Sequence, residues 1–142
     1  MNPKKLILAT LASFVVMFAL GGLFHMVIAK DFMLAHAGIA GDISRKEPLM
    51  IYIGLGVLVL AFMMSYMYPK GVEGENHLVQ GFKFGMMIGI IWITPFSLIL
   101  YGSVKMFSLT NVAAPALWHI LEQGIGGMVI AMVYGKTQKA GA

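Results

Sequence analysis

Four long apolar runs, separated by short polar stretches, dominate the chain. The first runs from Leu6 to Ala29 and ends at Lys30-Asp31. The second, Leu49 to Tyr68, is opened by Pro48 and stopped by Pro69-Lys70-Gly71. The third extends from Gly81 to Val104, with Lys83 able to snorkel at its start and Lys105 at its end. The fourth lies between Val112 and Tyr134, before Gly135-Lys136. About 20 helical residues cross the hydrocarbon of a bilayer, and each run has that length. The runs are continuously apolar rather than alternating, which predicts helices and not barrel strands. The expected fold is an all-α membrane protein, a single four-transmembrane-helix bundle with spans at 6–29, 49–68, 81–104 and 112–134.

Signals at the helix ends refine this picture. Asn76 is expected to cap the third span and Asn111 the fourth, which places Pro115 in a first turn that needs no backbone donor. The first loop, Lys30 to Pro48, is the longest. Its Phe32-Met33-Leu34-Ala35 run predicts an interfacial helix, broken by Gly38 and Gly41. The second loop, Lys70 to Gln80, is Gly-rich and charged and reads as a tight turn. Lys30 beside Phe32 matches Lys105 beside Phe107, and Tyr68-Pro69-Lys70 matches Tyr134-Gly135-Lys136. One reading is a two-plus-two repeat; the other is that lysine beside an aromatic is ordinary at membrane borders.

Composition agrees with the pattern. Of 142 residues, 59% are apolar and 11% charged, too few charges to cover a water-exposed surface. The mean hydropathy is +0.85. The net charge of +4 comes from lysines and arginines scattered at the ends of apolar runs, so it marks membrane borders and not a nucleic-acid face. Cysteine is absent, which removes disulfides, thiolate metal sites and a lipobox. The first run is about twice as long as a signal core and is read as a retained span. Lys4, Lys5, Lys70, Lys83, Lys136 and Lys139 outnumber Lys30, Arg45, Lys46 and Lys105, which favours both termini in the cytoplasm.

Small residues mark packing faces. Gly81, Gly85 and Gly89 recur every four residues, and Gly127, Ala131 and Gly135 make a similar stripe on the fourth span. Either stripe suits close approach within the bundle or against a second subunit. Pro95 interrupts the third span, frees the Ile91 carbonyl and predicts a kink. The thirteen methionines show no ligand spacing and read as flexible core filler.

Glu122 is the only acid inside a span. A charge near mid-membrane costs about 3 kcal/mol, so such a group faces the bundle interior and has partners. His119 and Gln123 lie on broadly the same helix face. At about 1.5 Å per residue, His25, Tyr52 and Tyr101 sit about 10 to 12 Å toward one side of their spans, the side that His119 also favours. One reading makes these residues an interfacial belt with Glu122 held by a neighbour. The other is a pocket on the outer side. There His25 and His119 are candidate ligands of haem or a divalent metal, with Glu122 as third ligand or proton acceptor.

The segment Tyr68-Pro69-Lys70-Gly71-Val72-Glu73-Gly74, followed by Gly81-Phe82-Lys83-Phe84-Gly85, resembles an uncharacterised group of small four-span bacterial inner-membrane proteins. The opening Asn2-Pro3-Lys4-Lys5-Leu6 and His25 fit the same resemblance, which implies topology and no catalytic residue. No phosphate loop, Ser-His-Asp set, metalloprotease helix or dinucleotide fingerprint is present. Two functions follow as leading expectations, beside a third, a membrane enzyme or transporter whose pocket is formed by oligomerisation. The first is a non-enzymatic accessory or assembly subunit, forming a homo-oligomer or joining a larger membrane complex. The second is a haem-, metal- or small-ligand-binding, or proton- or solute-transporting, four-helix protein.

Overall fold

The computed structural model describes residues 2–39, 45, 47–71, 76–105 and 108–135. It contains helices α1 (Pro3–Leu23), α2 (Lys30–Ala35), α3 (Met50–Gly71), α4 (His77–Ser103) and α5 (Leu109–Tyr134), and no strand among the described residues. A π-helical turn at Phe24–Ile28 prolongs α1. With that turn, α1, α3, α4 and α5 are each long and apolar enough to cross a membrane, so the chain is a multi-pass membrane protein. The short α2 lies in the first loop, followed by Gly38 at φ 57, a left-handed conformation that glycine adopts without strain. Gly41 and the centre of the second loop lie outside the described residues.

Capping explains several boundaries and corrects two expectations. The Asn76 side chain accepts from the Val79 amide and starts α4 four residues before the apolar run. The cap of α5 is Ser108, not Asn111. The Ser108 hydroxyl accepts from the Asn111 amide at 3.1 Å, so the helix begins at Leu109 and Pro115 lies inside it, beyond the first turn. Asn111 thus supplies an amide to a cap instead of acting as one. Likewise α3 does not stop at Tyr68 but continues through Pro69 to Gly71. A proline there removes the amide that would bond the Ser65 carbonyl. The Tyr134 hydroxyl of α5 donates to that carbonyl at 3.0 Å, so a neighbouring helix replaces the missing donor. Pro95 lies inside α4, which runs unbroken to Ser103.

Successive spans are antiparallel, and side-chain bonds tie the two ends together. At the end carrying the termini, the Lys5 Nζ donates to the Tyr134 carbonyl at 2.9 Å, satisfying a helix C-terminus with a cation. The Tyr68 hydroxyl donates to the His77 carbonyl there. At the opposite, far end the Ser108 hydroxyl donates to the His36 carbonyl at 3.0 Å, joining the first and third loops.

The most intimate helix pair is α4 with α5. A Cβ on Gly81 would stand 2.5 Å from the Gly127 carbonyl oxygen and 2.6 Å from the Ala131 Cβ. On Gly85 it would collide with the Gln123 carbonyl, and on Gly89 it would meet the Ile120 Cα at 2.8 Å. The stripe of α4 is therefore occupied by α5 within one chain. Gly135 does not belong to the α5 stripe. It ends the helix at φ 69, and a Cβ there would meet nothing within 4 Å. Gly126 turns the other way, leaving room for Met17 of α1.

The packed core lies toward the terminal end. Ala9, Met17, Ala61, Met64, Tyr68, Phe84, Ile130, Ala131 and Tyr134 form one buried cluster. Two methionines at its centre act as filler for an irregular space. Tyr68 and Tyr134 stack at 5.8 Å, and Phe84 meets Tyr68 edge-on at 5.5 Å. The hydroxyls of Thr10 and Ser13 bond carbonyls of their own helix, so neither leaves an unsatisfied donor in the apolar interior. Helix α3 buries Ala61, Met64, Ser65 and Tyr68 at this core, with Val57 and Leu60 partly buried against it. Its first half carries no buried residue.

Candidate functional site

That uneven packing of α3 opens the far half of the bundle around Glu122. Glu122 sits near the middle of α5 and is 4% exposed. Its Oε2 lies 2.8 Å from Nδ1 of His119, one turn earlier on the same helix. With the proton on Nδ1, the imidazole donates to the carboxylate and leaves Nε2 as a free acceptor. The other carboxylate oxygen faces α1, where a Cβ on Gly21 would stand 3.5 Å from it. Glycine at this position leaves room for the carboxylate against the α1 backbone.

His25 lies within the π-helical turn of α1. The Ala29 amide there bonds the Phe24 carbonyl at 2.8 Å, a five-residue step. The extra residue per turn rotates the end of α1, and the His25 ring comes to 5.6 Å from the His119 ring, centroid to centroid. Phe24 holds the turn by stacking on Trp118 at 4.7 Å. Structure thus brings His25, His119 and Glu122 together. Gln123 turns toward α4 instead, because successive helical residues point about 100° apart. There its Oε1 accepts from the Trp92 indole at 2.8 Å, and Trp92 also approaches His119 at 6.0 Å.

Two cavities flank the dyad. One, ≈ 430 Å³, lies between α1 and α3 and is lined by Met17, Gly21, His25, Ile53, His119 and Glu122, among others. The second, ≈ 500 Å³, lies between α3 and the α4–α5 pair and is lined by Tyr52, Gly56, Met63, Trp92, Glu122 and Gln123, among others. His119, Glu122, Ile53 and Val57 border both. The walls are otherwise aliphatic or aromatic. Met17, Ala61, Met64 and Ile130, all nearly or fully buried, close the bundle below Glu122 toward the terminal end.

Tyr52 stands at the rim of the second cavity, largely exposed. Tyr101 does not join the site: it is exposed and lines neither cavity. The buried stripe of α4 passes through Ile93 and ends at Ser97, and Tyr101 stands one turn further, at the membrane border. Among the described residues no group of three or more His, Asp or Glu side chains gathers that could hold a metal ion. His119 and Glu122 form a hydrogen-bonded pair through one His119 nitrogen, and the His25 ring stands beside it without a hydrogen bond to either. Trp92 and Gly21 are members that the sequence reading missed. For Trp92 a signal existed: it follows Gly89 by three residues, on the side of α4 that the glycines turn toward α5.

Searches of protein-family models, curated proteins and solved structures found no match to this chain.

Proposed function

We propose that this protein holds a small lipid-soluble ligand in the far half of its bundle, against the His119–Glu122 pair. The observation that carries this reading is the pair of cavities meeting at one buried acid. Apolar pockets with a few convergent polar groups are the usual form of a small-molecule site. A mid-membrane carboxylate otherwise costs stability, so its placement on a cavity wall supports a role in recognition. The apolar seal below it favours a one-sided site over a through path. A divalent metal receives no support from a third ligand among the described residues. The location we propose is the cytoplasmic membrane of a bacterium, with both termini in the cytoplasm, so that the cavities lie toward the outer side. The positive charge balance of the loops supports that orientation.

Titration calorimetry in mild detergent tests the reading with two triphenyl probes, neutral triphenylphosphine oxide and methyltriphenylphosphonium. Gly22 and Gly56 line the first and second cavity, and a Cβ on either would meet nothing within 4 Å. Gly22→Leu and Gly56→Leu therefore fill the cavities without disturbing the fold. We expect saturable binding of at least one probe, weakened about tenfold or more by one filling variant. No saturable binding, or binding indifferent to both variants, would refute the site.

The assembly reading has one supporting observation. The first half of α3 touches the chain through Gly54 beside Phe18 and the partly buried Val57 and Leu60 but turns most of its surface outward, and a helix of a second copy or of a larger complex would find a free face there.

A further inference from the structure

We infer that the ligand of this cavity is a lipophilic monocation, an onium or amine carried on an apolar or aromatic body. This rests on the cavity reading above and names the class of molecule that the cavity takes.

The inference follows from the charges that surround the site. Glu122 is the single acid among the four spans, and its carboxylate borders both cavities. Among the described residues its hydrogen-bond partner is a histidine, His119. From the packed elements, the other titratable side chains at these walls are His25 of α1 and Tyr52 of α3; α4 contributes Trp92. Among the described residues, no lysine or arginine lines either cavity. Lys30 and Lys105 stand outside both, and Arg45 borders an open depression that adjoins them, sharing Tyr52 and Ile53 with the second cavity and Pro48 and Ile53 with the first. The site thus offers a negative group in an apolar setting, with no permanent positive group among the described residues of its lining. Attraction between opposite charges is strongest where water is excluded, so a cation gains more here than a neutral molecule of equal shape.

The walls select the rest of the ligand. Trp92, Tyr52 and the His119 ring present aromatic surface in the second cavity, and cations bind favourably over such faces. The remaining surface, including Ile53, Val57, Leu60 and Met63, is aliphatic or thioether, which excludes a small hydrated ion and suits an apolar body. The wall residues Ile53, Val59, Met63 and Trp92 are themselves exposed on the flank of the bundle, so the route in runs sideways from the bilayer. A choline headgroup carries the same onium chemistry, but its phosphate would come close to Glu122 and be repelled. We assign the site to a free cation.

The experiment compares methyltriphenylphosphonium, triphenylphosphine oxide and tetraphenylborate on the full chain. The wild type should bind the cation about tenfold or more tightly than the neutral probe. Glu122→Gln should abolish that preference while retaining the neutral probe, which shows an intact cavity. Glu122→Asp should restore part of it. Equal affinity for cation and neutral probe, or tightest binding of the borate, would overturn the cation assignment and leave the cavity reading standing. Binding of none would overturn both. Repeating the cation titration in mild detergent with and without added short-chain phosphatidylcholine, which carries no net charge, should give the same affinity. Weakening by phosphatidylcholine would overturn the assignment to a free cation.

Discussion

Gly85 and Gly56 are both mid-helix glycines, yet their surroundings are opposite. A side chain on Gly85 would collide with the backbone of α5, whereas one on Gly56 would meet open space. The first belongs to the fused α4–α5 seam, and the second to the half of α3 that has no fully buried residue. In lipid there is no hydrophobic gain from bringing helices together, so close backbone contact supplies the stability. The seam and the terminal core therefore hold the fold, and the far half is free to keep a buried acid and open space beside it. Stability and recognition are divided between two ends of one bundle.

This division can be broken first at the seam. Gly85→Leu should cost about 3 kcal/mol or more and leave little folded monomer, read by thermal unfolding in detergent. A stable monomer that has lost only an oligomer would place the glycine stripe at a subunit interface instead. Next, Ile130→Ala in the terminal core should cost about 2 kcal/mol or more, while Ile53→Ala on the cavity wall should cost under about 1 kcal/mol. Comparable losses would erase the contrast between the halves. Tyr134→Phe removes the donor that replaces the amide missing at Pro69, and should lower stability by about 1 kcal/mol. Ser108→Ala should cost about 1 kcal/mol, and Asn111→Ala less, if Ser108 is the cap. Glu122→Gln should have the smallest effect on the empty protein, under about 1 kcal/mol and toward greater stability, because a costly buried charge is removed. A large loss there would make the dyad a structural clamp.

How much of this was legible in the sequence follows from which interactions are local. Span number and length come from continuous apolar runs and were readable to within a few residues. Asn76 was readable as a cap because its apolar run follows closely. At the fourth span the same reasoning chose Asn111 over Ser108, since Thr110 and Leu109 carry no mark of helix before the structure is known. Pro69 was read as a stop, yet Tyr134, distant in sequence, repairs the bond it removes. The pairing of His119 with Glu122 was legible from their spacing along one helix. The approach of His25 was legible only as depth, because its direction depends on the π-helical turn, which no residue pattern marks. Depth alone also grouped Tyr101 with these residues, and direction separates it.

The most direct test of an open, ligand-taking far half uses a reporter already in its wall. The chain has two tryptophans, so Trp118→Phe leaves Trp92, beside Gln123 and the second cavity, as the only one. Titrating that variant with methyltriphenylphosphonium should change Trp92 emission saturably, and adding Gly56→Leu should abolish the response. Emission that does not respond, or responds equally with the cavity filled, would contradict the account.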